Sequence, residues 1–199
     1  YGLAAAWYWW DKAIFGYWLT GSYVSMTNLV SNTWVVATDT TGVGTARSYL
    51  AAAWYWWDKA IFGYWDTGSY VSMTNLVSNT WVVASDTTWV GTARRLLAAA
   101  WYWWDKAIFG YWSTGSYVSM TNLVSNTWVV ASDTTWVGTA RSLLAAAWYW
   151  WDKAIFGYWS TGSYVSMTNL VSNTWVVATD TTGVGTARTR LAAAWYSTT

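Results

Sequence analysis

The chain has 199 residues, is 55% hydrophobic and 21% aromatic, and carries ten basic and nine acidic side chains for a formal net charge of +1. So little charge, with no run among the basic residues, excludes a nucleic-acid footprint and leaves no strong field to steer anionic partners. His, Cys and Glu are absent, which removes the usual neutral-pH general base, the thiolate and imidazole metal ligands and any disulfide, so no enzyme, metal site or cofactor is expected.

Gln and Pro are missing as well, and so reduced an alphabet is understandable if one short unit was copied along the chain. No uncharged apolar run reaches the roughly eighteen residues of a transmembrane helix. The sequence opens at Tyr1 without Met or a charged leader, and reads as a processed or partial chain. Trp7, Trp54, Trp101, Trp148 and Trp195 stand 47 residues apart, which divides the chain into units 3–49, 50–96, 97–143 and 144–190, with an extra "LAAAWY" opening the segment 191–199. Few columns vary. Gly42 and Gly183 in the outer units face Trp89 and Trp136 in the inner ones, and Thr38 and Thr179 face Ser85 and Ser132. Such pairing is the signature of end units meeting a different environment.

Taken in chain order through the second unit, "AAAWYWW" predicts a strand, Asp58-Lys59 a two-residue hairpin turn, and "AIFGYW" a second strand. Both strands are apolar on each face, so that hairpin should be sandwiched between layers. "DTG" at 66–68 then places Gly68 where a three-residue hairpin loop needs a left-handed residue. "SYVSMTNLV" alternates Val71 and Met73 with Ser72 and Thr74, the period of a half-buried strand. "SNT" at 78–80 is a turn, "TWVVA" a fourth strand and "SDTT" at 85–88 a further turn. The fold expected is an all-β tandem repeat of four 47-residue, four-stranded units, β-propeller-like; the alternatives are a β-barrel of long hairpins or an open β-repeat stack. A weaker parse reads "WVVATDTTGVGTARSYLAAAW" as strand, phosphate-cradling glycine loop and helix, but Trp89 and Trp136 replace the glycine in the middle units.

The hairpin "WYWWDKAIFGYW" followed by "YVSMTNLV" resembles the tryptophan-rich β-propeller lectins, particularly the fucose-binding bacterial and fungal ones. In that family the turn usually reads W-D-G, and here Lys12, Lys59, Lys106 and Lys153 stand at the glycine. The family clasps its sugar with an Arg and a Glu. With no Glu present, only Arg47, Arg94, Arg141 and Arg188 match the basic partner. The resemblance implies neutral-glycan binding at Trp10, Asp11 and Arg47, at Trp57, Asp58 and Arg94, at Trp104, Asp105 and Arg141, and at Trp151, Asp152 and Arg188. Trp7 and Trp9, with their copies, are expected to fill the interfaces between units instead. The plain structural alternative for Arg94 is a pair with Asp86 or Asp66.

Two other readings belong to different classes. If only "DK" and "SNT" turned the chain, the two long strands per unit would suit a membrane β-barrel or pore, the one case in which a membrane partner is expected. A structural or designed repeat with no ligand is the third, in which the spare "LAAAWY" either closes the array or joins a neighbouring copy head to tail, giving a homo-oligomer. The preferred expectation is a multivalent, non-enzymatic, extracellular or cell-surface lectin with no nucleic-acid partner and no cofactor.

Overall fold

The computed structural model describes residues 3–8, 12–55, 59–80, 82–88, 90–102, 106–127, 129–135, 138–149, 153–174, 176–183 and 185–188. It is all-β, with no helix among the described residues. The first repeat carries β1 (Ala4–Tyr8), β2 (Lys12–Leu19), β3 (Tyr23–Val30) and β4 (Thr40–Thr41), and the second carries β5 (Ala51–Tyr55), β6 (Lys59–Asp66), β7 (Tyr70–Val77) and β8 (Thr87–Thr88). The third follows as β9 (Ala98–Tyr102), β10 (Lys106–Ser113), β11 (Tyr117–Val124) and β12 (Thr134–Thr135), and the fourth as β13 (Ala145–Tyr149), β14 (Lys153–Ser160), β15 (Tyr164–Val171) and β16 (Thr181–Thr182). Each repeat is one antiparallel sheet with its strands side by side in chain order. The four sheets repeat in tandem, open and not closed into a barrel. The chain forms two compact units, Tyr1–Arg95 and Leu96–Thr199, each holding two repeats.

The blade-like sheet emerges much as its punctuation predicts, with three corrections. The first turn is displaced. Lys59 is the opening residue of β6 and pairs with Tyr55, so the β5–β6 connection is 56–58, which lies outside the described residues. The fourth strand is also displaced: "TWVVA" contributes a lone bridge, Val83 to Val77, while Thr87 and Thr88, expected in a turn, pair with Thr74 and Met73. Side-chain hydrogen bonds explain this shift. Ser78 Oγ captures the Val82 N–H at 3.1 Å and Asn75 Nδ2 captures the Ala84 carbonyl at 2.9 Å, so these backbone groups are spent on side chains and the segment keeps only a short backbone contact with the third strand. The helix of the phosphate-loop parse is replaced by β5, because three alanines backed by aromatic strands gain more from sheet pairing than from isolated helix formation. The predicted three-residue loop is present: Gly68 has φ +98° and its N–H donates to Asp66 Oδ1 at 2.7 Å.

In the two inner repeats the second strand is covered on both faces, as two apolar faces require. Ala60, Ile61, Phe62 and Tyr64 are all fully buried. It also carries a bulge in every repeat, in the register between Gly16 and Trp18 and its counterparts. The bulged residues are Tyr17, Tyr64, Tyr111 and Tyr158, with φ of +52°, +62°, +61° and +62°. A left-handed tyrosine costs about 1–2 kcal/mol, and a bulge re-aims the side chain it carries. In the first and third repeats it turns Tyr17 and Tyr111 out of the sheet toward Phe62 and Phe156 of the repeat that follows.

Packing between neighbours follows. In the second unit Ala98, Ala100 and Ile108 of one sheet share a core with Leu144, Ala154 and Phe156 of the next. Trp101 and Trp148, from the column expected to fill interfaces, pack with ring centres 4.6 Å apart and ring planes tilted by 57°. The side chain of Trp7 and all of Trp9 lie outside the described residues.

Candidate functional site

Of the residues the lectin resemblance singles out, Trp10, Asp11, Trp57, Asp58, Trp104, Asp105, Trp151 and Asp152 lie outside the described residues. The four arginines are described, and they divide by position. Arg47, Arg94 and Arg141 are completely buried, while Arg188 in the last repeat is exposed. A guanidinium sealed from solvent has no face to offer a soluble sugar, and Arg47 and Arg141 are held instead by aspartates of the repeat that follows.

The tie is visible at two equivalent joints. Val24 and Arg47 bridge within the first repeat and Ser48 bridges to Asp66 of the second, so the chain is handed from one sheet to the next across adjacent residues. Just before this point Gly44, at φ +98°, lets the backbone approach so closely that a Cβ there would stand 2.7 Å from both Asn75 Nδ2 and Asp86 Oδ1. Thr45 then donates its N–H and its hydroxyl to Asp86 Oδ2 at 2.9 and 2.6 Å. Asn75 Nδ2 donates to Oδ1 at 2.9 Å, and Arg47 reaches the same oxygen at 3.4 Å. The guanidinium lies 4.7 Å from the centre of the Tyr17 ring, whose hydroxyl donates to the Val43 carbonyl.

The joint between the third and fourth repeats is the same. Thr139 grips Asp180 Oδ2 at 2.9 and 2.5 Å, Arg141 reaches Asp180 Oδ1 at 3.2 Å and also donates to Asn169 Oδ1, and its guanidinium is 4.7 Å from the Tyr111 ring. Under each ring sits a phenylalanine of the following repeat, Phe62 beneath Tyr17 and Phe156 beneath Tyr111, edge-on at 5.4 and 5.3 Å. Glycine makes room for it: a Cβ on Gly16 would be 2.9 Å from Phe62 Cζ, and one on Gly110 only 2.5 Å from Phe156 Cζ.

The electrostatics suit a permanent ion pair. Partial burial alone would raise the Asp86 carboxyl. The hydrogen bonds from the Thr45 hydroxyl, Asn75 and the Thr45 N–H, with the Arg47 charge, outweigh it and hold the group below the usual carboxylate range. Asp180 is lowered by the same set of partners. Burial pulls Arg47 and Arg141 down, while their tyrosine and aspartate neighbours push back. Burial likewise pushes the Tyr17 and Tyr111 hydroxyls above the ordinary tyrosine range, so they remain neutral donors. This arrangement fastens repeats together. It presents no reactive group, and among the described residues no cluster of three acidic side chains is placed to hold a metal.

The surface offers a different feature. In each repeat the turn after the third strand is built on one serine: Ser31, Ser78, Ser125 and Ser172 accept the N–H of Val35, Val82, Val129 and Val176 at 3.2, 3.1, 3.1 and 3.1 Å. In the first repeat this turn holds Trp34 at φ +63° with 89% of its surface exposed. The valine that follows is about as exposed in every repeat, at 62–63%. The strand expected over "TWVVA" does not foresee the exposure of Trp34; the turn serine two residues before Thr33 was the available signal, and Trp81, Trp128 and Trp175 lie outside the described residues.

No protein-family model matches the chain, and no curated protein matches it.

Proposed function

We propose that the chain is a non-enzymatic, multivalent binder of neutral carbohydrate, with one weak site per repeat at the Ser-Asn-Thr-Trp-Val turn. Trp34 is the observation that carries this reading. It gains almost nothing from packing at 89% exposure, and at φ +63° it occupies backbone that Asn or Gly would fill more cheaply. Strain of about 1–2 kcal/mol without compensating burial is what a residue retained for contact with a ligand would tolerate. An open indole face suits the C–H side of a sugar ring, and the exposed Asn32 and Thr33 beside it can meet ring hydroxyls. The resemblance of the unit to tryptophan-rich propeller lectins supports the same ligand class at a different place on the blade. Four equivalent weak sites gain about a hundredfold or more in avidity on a glycan-bearing surface, which suits an extracellular or cell-surface setting.

The test is a glycan array followed by calorimetry, comparing the unaltered chain with Trp34→Asn combined with the same change at Trp81, Trp128 and Trp175. The expected result is loss of binding with unchanged circular dichroism and no drop in melting temperature. A silent array for the unaltered chain, or equal binding by the fourfold variant, overturns the reading.

A further inference from the structure

The joint that ties neighbouring repeats leaves one half of itself at each end of the array. At the front, the first repeat bears the receiving half. Phe15 is partly exposed, whereas Phe62, Phe109 and Phe156 are completely buried. Asn28, equivalent to the buried Asn75, Asn122 and Asn169, is also partly exposed. Asp39 is exposed and holds only the local bond from Asn28 Nδ2 at 2.7 Å, where Asp86 and Asp180 each hold a threonine and an arginine of the preceding repeat.

At the back, the last repeat bears the gripping half. Gly185, Thr186 and Arg188 are exposed, while the equivalent Arg47 and Arg141 are sealed. Arg188 keeps its guanidinium 4.8 Å from the Tyr158 ring, as Arg47 and Arg141 keep theirs at 4.7 Å, and donates to that hydroxyl at 3.2 Å where its counterparts reach an aspartate. Gly185 keeps the positive φ of Gly44 and Gly138, at +106° against +98° and +101°. Where Gly110 meets the Phe156 ring at 2.5 Å, a Cβ on Gly157 would meet, among the described residues, only Thr168 Cγ2 at 3.3 Å.

From these two faces we infer that a second copy of this chain docks head to tail, the Gly185–Arg188 segment and Tyr158 of one copy closing on Phe15, Asn28 and Asp39 of the next. The contact is heterologous, so it adds copies in a row. Its specificity is built in. An exposed cation faces an exposed carboxylate, and the positive φ of Gly185 and the ring contact of Arg188 with Tyr158 repeat what Gly44, Gly138, Arg47 and Arg141 adopt inside the chain. The inference is independent of what the exposed tryptophan turns bind, and it does not use the repeated "LAAAWY" at 191–196.

Sedimentation velocity on three proteins tests it: the unaltered chain, Asp39→Lys and Arg188→Glu. The unaltered chain is expected to grow from monomer to dimer and beyond as concentration rises from about 1 μM to about 1 mM, with affinity weakening in high salt. Each variant alone should stay monomeric, with circular dichroism like that of the unaltered chain, because both residues are exposed. Mixed in equal amounts, the two variants should assemble again, because Arg188 of the Asp39→Lys chain meets Asp39 of the Arg188→Glu chain and the two reversed charges also complement each other. An unaltered chain that stays monomeric throughout overturns the inference. So does assembly that persists in both variants alone, which would leave the spare 191–196 sequence as the joining strand. A mixture that remains monomeric overturns it too.

Discussion

Asp86 and Asp39 occupy the same column of the repeat, yet only Asp86 has a preceding repeat to hold. In Asp86→Ala the Arg47 guanidinium, completely buried, loses its carboxylate, and Thr45 and Asn75 lose their acceptor. Breaking one side of a buried pair costs about 3–5 kcal/mol. The Asp86 side chain keeps 19% of its surface in water, so solvent can enter the gap and the lower end, about 3 kcal/mol, is expected. Asp39→Ala removes one exposed bond to Asn28, worth about 0.5–1 kcal/mol. With a urea m-value of about 1.5 kcal/mol/M, the midpoints should fall by about 2 M and about 0.5 M respectively. Urea unfolding of dilute protein, followed by tryptophan fluorescence, reads both. Adding Arg47→Leu to Asp86→Ala should recover part of the loss, because the uncompensated charge is gone. Equal midpoint shifts for the two aspartate variants, or no recovery in the double variant, would refute the idea that the ion pair fastens the repeats.

The acid response carries the same signature. Asp86 and Asp180 are held below their unfolded value, about 3.9. Their contribution is therefore fully present above that value and is lost as pH falls through the lower folded one. Unfolding free energy should be flat above about pH 5 and fall below it, and the double variant Asp86→Asn, Asp180→Asn should start lower and show a shallower acid slope. The glycine slots give a second matched pair. Gly110→Ala forces a Cβ into the Phe156 ring and should cost about 2 kcal/mol, while Gly157→Ala, which among the described residues meets only the Thr168 methyl, should cost less than about 1 kcal/mol. Thermal unfolding of the two single variants checks this, and the reverse order would sink the account of the slot.

Much of the architecture was legible before any coordinates. The 47-residue period, the sandwiched aromatic strand and the Gly68 loop are local properties, set by side-chain pattern and by the one residue that accepts a left-handed backbone at low cost. Short-range competition escaped the reading at "TWVVA", where Ser78 and Asn75 take backbone groups that a sheet edge would otherwise use. The barrel alternative failed for a related reason: these side-chain captures and the short fourth strand end each sheet after four strands.

The arginine column shows where sequence stops. Pairing Arg94 with Asp86 or Asp66 looked within its own repeat, and "GTAR" does supply a cation. The equivalent Arg47 and Arg141 meet the aspartate of the following repeat, 39 residues on, while the neighbouring Arg95 pairs with Asp66 of its own repeat at 3.4 Å. An aspartate in the "SDTT" turn and an asparagine in a strand were each visible as polar oddities, but their convergence was not. Sequence by itself determined the unit, because period, alternation and turn chemistry act between neighbours along the chain. Only the tertiary structure decided which face each side chain meets, because the bulge at Tyr17 and the handover at Arg47–Ser48 turn those residues out of their own sheet and into the next.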